Sequence, residues 1–299
     1  MKPVTKITFT DDNGIKFFGE GPCRLLRCVE KTGSLRAAAM EMEMAYSKAS
    51  KILKQAETNL GFPLTTRITG GKDGGGSVLT PEGKRWLQQY EIYRNACVKA
   101  NQELYRQHFP KIGCVIMASG LGKRFGSNKL MADFCGKPMI QRALDATEGL
   151  FSRRVVVTRH ESVASLCREQ NVDVVLHNFP HRSDTVRLGL EALGDLDACM
   201  FLPGDQPLLR RETVAKLLQS RQQHPNCMIR PIHEDTEGSP VLFPAWTFPE
   251  LMTLPEGKGG GVVIKNHPHD LIRVSISDPF ELADADTPET MELLQQLSR

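Results

Sequence analysis

The sequence predicts an α/β chain built in two parts: a small, mostly helical N-terminal unit carrying a hairpin, and a larger unit with a mostly parallel sheet and helices on both faces. Three observations carry this. Apolar residues recur at helical spacing through the first hundred residues, broken by one glycine-rich turn between short β-type runs. From Ile112 the pattern changes to short apolar runs alternating with helical segments, the β-α repeat of a parallel sheet. Between them Phe109-Pro110 interrupts the helical pattern and divides the 299 residues into 1–109 and 110–299. The charge changes sign across that break, with 17 Lys+Arg against 11 Asp+Glu before it and 21 against 24 after it.

Composition narrows the class. Hydrophobic residues at 40% and charged residues at 24% are ordinary globular usage and exclude a disordered chain, a collagen-like repeat or a coiled-coil rod. No run approaches the ~18 apolar residues of a membrane span. Met1 to Thr10 alternates polar and apolar residues without the apolar core of a signal peptide, so the expectation is a cytoplasmic protein without a membrane partner. The eight cysteines are scattered, with no C-x-x-C pair, as expected of buried free thiols in a reducing compartment. The basic first part suits an anionic partner such as nucleic acid, although a solvated surface gives an excess of this size too.

Within the first part, Leu25, Leu26, Cys28 and Val29 fall at core spacing on one helix, and Thr32-Gly33-Ser34 closes it and caps the next. That second helix, Leu35 to about Met42, is rich in alanine, whose small side chain lets two helices approach closely. A third helix, Ala45 to Asn59, buries Ala49, Ile52, Leu53 and Ala56 and turns Tyr46, Ser47, Lys48 and Lys51 elsewhere, which makes it the recognition-helix candidate. Pro63 to Ile68 and Val78 to Thr80 then flank the glycine-rich tip 70–76, and a hairpin after three helices is a winged helix-turn-helix. The candidate DNA-binding residues are Tyr46, Ser47, Lys48, Lys51 and, in the wing, Lys72; an ordinary solvated face is the alternative for the helix residues. Segment 21–93 resembles the DNA-binding domains of the ModE and LysR types of regulator through Thr32-Gly33-Ser34-Leu35-Arg36-Ala37-Ala38-Ala39, the Tyr46-Ser47-Lys48-Ala49 helix start and the threonine-led glycine wing, which is nearest the ModE type. The molybdate-binding module of the ModE type is not visible. Residues 85–107 form one longer helix with an apolar stripe, which serves either as a homodimer seam or as packing on its own domain.

In the second part strands are expected at Ile112 to Ala118, Val155 to Thr158, Asp173 to Leu176 and Ala198 to Leu202, with helices from about Met139, after Ser162, over Ser183 to Leu193 and over Glu212 to Gln223. Ligands of such Rossmann-like sheets sit at the strand C-terminal ends, where segments 119–129 and 204–207 fall. The first of these, Ala118-Ser119-Gly120-Leu121-Gly122-Lys123-Arg124-Phe125-Gly126-Ser127-Asn128-Lys129, is neither a dinucleotide fingerprint nor a Walker loop. Its glycines and cations nonetheless suit a polyphosphate surrounded by backbone N–H groups and positive charge. The second, Gly204-Asp205-Gln206-Pro207, sets a carboxylate directly after a buried strand, which alone reads as a turn.

Taken together with Gly136-Lys137-Pro138, Gly238-Ser239-Pro240-Val241-Leu242-Phe243 and Asp284-Ala285-Asp286-Thr287-Pro288, these loops resemble the MobA-like nucleotidyltransferases from Ile112 to about Leu297. Arg124-Phe125-Gly126, Thr185-Val186-Arg187-Leu188-Gly189-Leu190 and the Asp-x-Asp-Thr-Pro ending favour the molybdenum cofactor cytidylyltransferase branch. The resemblance implies transfer of CMP from CTP to molybdopterin, with release of pyrophosphate, Mg²⁺ as cofactor and a molybdoenzyme as eventual acceptor of the product. It assigns nucleotide binding to Ala118, Ser119, Gly120, Leu121, Gly122, Lys129 and Gly204, catalysis to Lys129, Arg124 and Asp205, and metal binding to Asp205 and Asp286, with Asp284 competing for the second place. Either of those last two could instead cap the helix near Pro288, and His181-Arg182-Ser183-Asp184 either contacts the pterin side of the acceptor or forms a loop and an N-cap, with Ser183 expected as the cap. Glu256-Gly257-Lys258-Gly259-Gly260-Gly261 departs from the family's Gly-Asp-x-Gly, which bears on the acceptor. Other readings are a DNA-binding regulator whose C-terminal domain senses nucleotide or cofactor without turnover, a transferase with another phosphorylated acceptor, and an N-terminal domain that only dimerises.

Overall fold

The structure, a computed structural model, describes residues 3–68, 76–120, 125 and 128–298. The chain divides into two compact units, Met1–Tyr105 and Arg106–Arg299.

The first unit opens with a hairpin, β1 (Thr8–Thr10) and β2 (Lys16–Gly19), which the sequence reading does not assign. Asp11 Oδ1 accepts from the backbone N–H groups of Asn13 and Ile15 and builds its turn. Helices α1 (Glu20–Thr32), α2 (Leu35–Glu41) and α3 (Tyr46–Leu60) follow. Gly33 ends α1 in the left-handed conformation (φ 66°), which favours glycine, and the Ser34 side chain accepts from Ala37 N–H at 3.4 Å to start α2. Ala38, Ala39 and Ala49 are fully buried where α2 meets its neighbours. Strands β3 (Thr65–Ile68) and β4 (Gly76–Leu79) pair antiparallel, and Ser77 N–H donates to Gly33 O, docking the hairpin on the α1–α2 turn. A Cβ on Gly76 would stand 2.8 Å from that same Gly33 oxygen, so the approach requires glycine. Helix α4 (Pro81–His108) closes the unit: Leu87 and Tyr90 enter the core with Phe18, Leu25, Leu26 and Leu53, and Tyr90 Oη donates to Ile7 O.

In the second unit β5 (Ile112–Ala118) is central. A short pair, β6 (Asp133–Phe134) and β7 (Lys137–Pro138), leads into α5 (Met139–Thr147), then β8 (Arg153–Thr158), α6 (Glu161–Glu169), β9 (Asp173–Leu176), α7 (Arg182–Leu193), β10 (Ala198–Pro203) and α8 (Arg211–Gln223). The β-α pattern stops there. The structure adds β11 (Met228–His233), β12 (Thr236–Glu237), β13 (Val241–Pro244), α9 (Phe248–Met252), α10 (Gly261–Asn266) and β14 (Leu271–Ser275), and the helix expected near Pro288 is α11 (Pro288–Leu297). The sheet order is β12-β11-β13-β10-β5-β8-β9, with β14 beside β11. Strands β10, β5, β8 and β9 are mutually parallel and β13 runs against β10.

Alternation along β5 divides the core. Cys114 and Ile116 pack among Ile140, Leu217 and Met291 on one face, while Val115 packs among Val186, Phe243 and Val263 on the other. Gly189 of α7 lies so close to Val115 that a Cβ would meet its methyls at 2.6 Å. The chain proceeds from β5 to β8 and β9 on one side and then crosses to β10 on the other, so the β5/β10 boundary is a topological switch point whose C-terminal edge opens a crevice.

Candidate functional site

That crevice is a cavity of about 690 Å³ at the C-terminal ends of β5, β8 and β10. Ala118 is buried at the end of β5 and Ser119 follows it into the cavity. The Ser119 hydroxyl donates to Val157 O and lies 2.8 Å from His177 Nε2. Because Phe179 N–H donates to His177 Nδ1, the ring proton resides on Nε2, and His177 donates to Ser119. Burial, with the nearby cations Arg159 and Arg187, holds the His177 pKa below its ordinary value, so the imidazole is neutral. This serine is therefore oriented rather than activated: its proton is directed to a carbonyl. His160 Nε2 bonds Gly120 O at 2.9 Å and fixes the next residue of the loop.

Leu121, Gly122 and Arg124, like Lys72 of the wing, lie outside the described residues. The loop re-enters at Asn128, whose Oδ1 accepts from Leu130 N–H and starts a 3-10 turn, Lys129–Met131. Lys129 is 7% exposed. Its Nζ donates to Asp205 Oδ2 at 2.6 Å and to Asp286 Oδ1 at 2.8 Å. Burial disfavours the ammonium, but these two carboxylates outweigh it and hold the Lys129 pKa above the usual lysine value.

Gly204 and Asp205 follow β10. Gly204 N–H donates to Met117 O, and a Cβ there would meet Ile140 at 2.9 Å, so glycine lets the turn settle against β5. Asp205 O accepts from Ala285 N–H and joins this turn to the segment before α11. Asp284 Oδ1 accepts from Gln206 Nε2 at 3.0 Å. Burial, then the neighbouring Asp205 charge, raises the Asp284 pKa above the ordinary carboxylate value. Thr287, not an aspartate, caps α11, its side chain accepting from Thr290 N–H. The expected cap on α7 is also corrected. His181 is the N-cap, reciprocally bonded with Asp184, because the helix starts one residue before Ser183.

Three carboxylates and one ammonium thus share one end of the cavity. Among the described residues no group of three or more His, Cys, Asp or Glu side chains is arranged as a ready metal site. The oxygens of Asp205 and Asp286 already converge on a single cation, the Lys129 ammonium, and two hard carboxylates are what Mg²⁺ usually takes from protein when phosphates and water complete its shell.

In the first unit Tyr46, Ser47, Lys48 and Lys51 all stand exposed on α3, and their side chains make no ion pair with another described residue. Tyr46, Ser47 and Lys51 line one open groove with Lys54 and Gln55; Lys48 lies outside that groove.

The model of the MobA-like NTP transferase domain matches residues 114–271, more than half of the chain. The chain belongs to the MobA-like NTP transferase family. Residues 23–84 of this MobA-like protein match the bacterial regulatory helix-turn-helix proteins of the lysR family, so a LysR-type helix-turn-helix domain precedes the transferase domain. A relative named "Probable molybdenum cofactor guanylyltransferase" from Aquifex aeolicus (strain VF5) is 30% identical over 108 residues, covering 36% of this chain and 52% of the relative. The molybdenum-pterin-binding protein MopB of Rhodobacter capsulatus is 39% identical over 66 residues, 22% of this chain and 24% of its own. The chain thus spans about half or less of the curated relatives named here. The crystal structure of Rv0371c from Mycobacterium tuberculosis H37Rv superposes with a TM-score of 0.57 at 19% identity, covering 62% of this chain and 98% of that one, a likeness of fold.

Sequence reasoning missed several polar residues of the MobA-like domain's cavity. Arg159 directly follows β8, where the strand-end rule points, yet no motif marks it. His177 and Gln206 act through contacts with Ser119 and Asp284 that are 58 and 78 positions away in the chain. Ser239 carries no signal of its own beyond its motif; it lines the cavity behind Gly238, whose carbonyl accepts from both Arg230 Nε and Nη2.

Proposed function

We propose that the transferase domain moves CMP from CTP to molybdopterin, giving molybdopterin cytosine dinucleotide and pyrophosphate, and that the N-terminal domain binds DNA to regulate molybdenum-related genes. The observation that carries the first half is the convergence of Lys129, Asp205 and Asp286 at the switch-point crevice beside the Ser119 loop.

An oxygen of the acceptor's terminal phosphate attacks the α-phosphorus of CTP. A new P–O bond forms there, the bridging bond between the α- and β-phosphates breaks, and its electron pair leaves with pyrophosphate. A phosphate monoester is already ionised at neutral pH, so no residue has to remove a proton, in keeping with a neutral His177 that donates rather than accepts. The backbone at 118–122 binds the phosphates, and Gly204 keeps Asp205 close to that loop. Lys129 offsets the charge that accumulates on the α-phosphate and leaving group, with Arg124 as its partner. Asp205, with Asp286 second and Asp284 beside it, would hold Mg²⁺, whose chemistry is to neutralise and orient two anions brought to one phosphorus.

Preference for CTP rests on the Thr185 to Leu190 segment and the Asp-x-Asp-Thr-Pro ending. The relative from Aquifex aeolicus carries a guanylyl name, which makes nucleotide choice the point to test. The ModE-like reading of the first domain rests on its threonine-led glycine wing and has the similarity to MopB beside it. A homodimer and hand-over of the product to a molybdoenzyme complete the proposal. Purified protein given Mg²⁺, molybdenum-loaded molybdopterin and CTP, GTP or ATP in parallel should release pyrophosphate selectively with CTP. Selective release with GTP would reassign the nucleotide, and binding of CTP without release would favour a sensor.

A further inference from the structure

A second cavity, of about 470 Å³, opens between α5, the segment 207–211 that links β10 to α8, and the 3-10 turn Pro279–Leu282. Among the described residues it shares no lining residue with the switch-point crevice. Its size is that of a small-molecule site. Segment 207–211 continues directly from Asp205, and the 3-10 turn leads on to Asp284. Arg210 joins the two segments: its backbone N–H donates to Glu281 Oε2 at 3.1 Å, and its guanidinium pairs with Asp278 at 2.7 Å.

The charges on the wall do not balance. Arg142, Arg210 and Arg211 line the cavity with Asp145 and Asp278, and both aspartates are already engaged. Asp145 accepts from Lys137 Nζ at 3.1 Å and from Gln141 Nε2 at 2.8 Å, and Asp278 accepts from Arg210 and from Phe280 N–H. Arg142 and Arg211 are left as two positive charges without a carboxylate partner among the described residues. The protein nevertheless fixes both of them. Arg142 Nη2 donates to Phe134 O at 3.4 Å, and its guanidinium lies 5.3 Å from the centre of the Phe134 ring. Its Nε is buried and has no acceptor among the described residues. Arg211 Nη1 donates to Glu148 O at the end of α5. Main-chain carbonyls orient a guanidinium without neutralising it, and a buried N–H in a folded protein nearly always has an acceptor. Leu209 and the partly exposed Phe280 give the same cavity an apolar wall.

We infer that this cavity binds a phosphate dianion, free or as the monoester of a small molecule, at Arg142 and Arg211. Two oriented guanidiniums match the two charges of the dianion, and their planar donor forks match its oxygens. The apolar wall leaves room for the organic part of a monoester. No residue of the crevice takes part, so the site stands apart from the transfer reading above.

The test is isothermal titration of the full-length protein, in a buffer without phosphate, with inorganic phosphate and with phenyl phosphate. The variants are Arg142→Met, Arg211→Met, Arg211→Lys and, as a control in the crevice, Arg159→Met, with circular dichroism to show each folded. Loss of one charge-assisted contact should weaken binding about 10- to 100-fold in either methionine variant of the second cavity. Arg211→Lys should recover part of the loss, and Arg159→Met should change affinity less than about twofold. Tighter binding of phenyl phosphate would identify a monoester as the ligand, and equal binding would identify free phosphate; both place the anion at these arginines. Wild-type protein that binds neither probe would overturn the assignment. So would binding that Arg159→Met weakens while Arg142→Met and Arg211→Met leave it unchanged, because the anion would then sit in the crevice. Arg211 is exposed, so its variants carry the test alone if Arg142→Met does not fold.

Discussion

In the N-terminal unit the candidate side chains Tyr46, Ser47, Lys48 and Lys51 stand exposed on one helix within six positions of each other, without an ion pair among the described residues. In the C-terminal unit Lys129 is buried and bonded to carboxylates 76 and 157 positions away. On the function proposed above, the difference follows from the partner each surface meets. A duplex brings its own phosphates and base edges to a convex helix, so the protein need only present donors. Phosphoryl chemistry needs charges fixed before the substrate arrives, so the protein holds its cation between its own anions in a crevice. The expected consequence is that substitutions in the first unit's site change binding without changing folding, while those in the second change both.

The largest effect expected is at Asp205. Asp205→Ala should lower pyrophosphate release about 10²- to 10³-fold or more, the size seen when one preorganised electrostatic group at a reacting centre is removed. Chelation of divalent metal should abolish release as well and leave DNA binding of the same sample unchanged; loss of both together would break the comparison.

Next come two positions that hold the first unit together. A Cβ on Gly83 would lie 2.2 Å from Leu64 O, main chain against main chain, so Gly83→Ala should cost about 1–3 kcal/mol of stability. In urea titrations followed by circular dichroism this variant should unfold its N-terminal unit early and keep its transferase activity. Ser34→Ala removes the cap of α2 and should cost about 1 kcal/mol in the same experiment.

Lys48→Ala and Lys51→Ala should leave folding within about 0.5 kcal/mol, as exposed substitutions do. Each should weaken DNA binding across sequences and reduce the magnitude of the salt slope by about one for every phosphate that the lysine no longer neutralises. Binding that does not depend on salt would contradict the DNA role.

The smallest effect is in pH. Burial lowers the His177 pKa in the folded state below the ordinary 6.5, so the unfolded chain takes up this proton first as pH falls. The stability linked to His177 is present above pH 6.5 and is lost as pH falls through the folded-state value. Urea midpoints should therefore decline on acidification below pH 6.5, and His177→Gln should make that decline shallower.

The fold was legible because its signals are local. Helix spacing around Leu25 to Val29, the Gly33-Ser34 junction and the β-α alternation from Ile112 all depend on neighbouring residues. The hairpin at Thr8–Gly19 was hidden because its alternating run is short, and its aromatic residues gain their meaning from Trp86 and Tyr90 far along the chain. Strands β11 to β14 were hidden for a related reason: β11, β13 and β14 are short and carry proline or arginine, and β12 has only two residues. In the site, Asp205 and Lys129 were marked by glycine-rich loops at strand ends. Gln206 and His177 were not, since a buried polar side chain is chosen for a partner that only topology brings near. Thr287 as the cap of α11 shows the same limit, because the sequence reading weighed only Asp284 and Asp286 and the backbone places the extended residue before the helix at Thr287.

The central claim is that the Lys129, Asp205 and Asp286 cluster transfers a nucleotide to phosphate. The most direct measurement supplies CTP labelled at the α-phosphate, or at the γ-phosphate, together with molybdenum-loaded molybdopterin and Mg²⁺, and follows the label by chromatography. The α-label should move into a molybdopterin dinucleotide while the γ-label leaves in pyrophosphate, and Asp205→Ala should do neither. An α-label that stays in CTP, or appears as free CMP with or without acceptor, would contradict it.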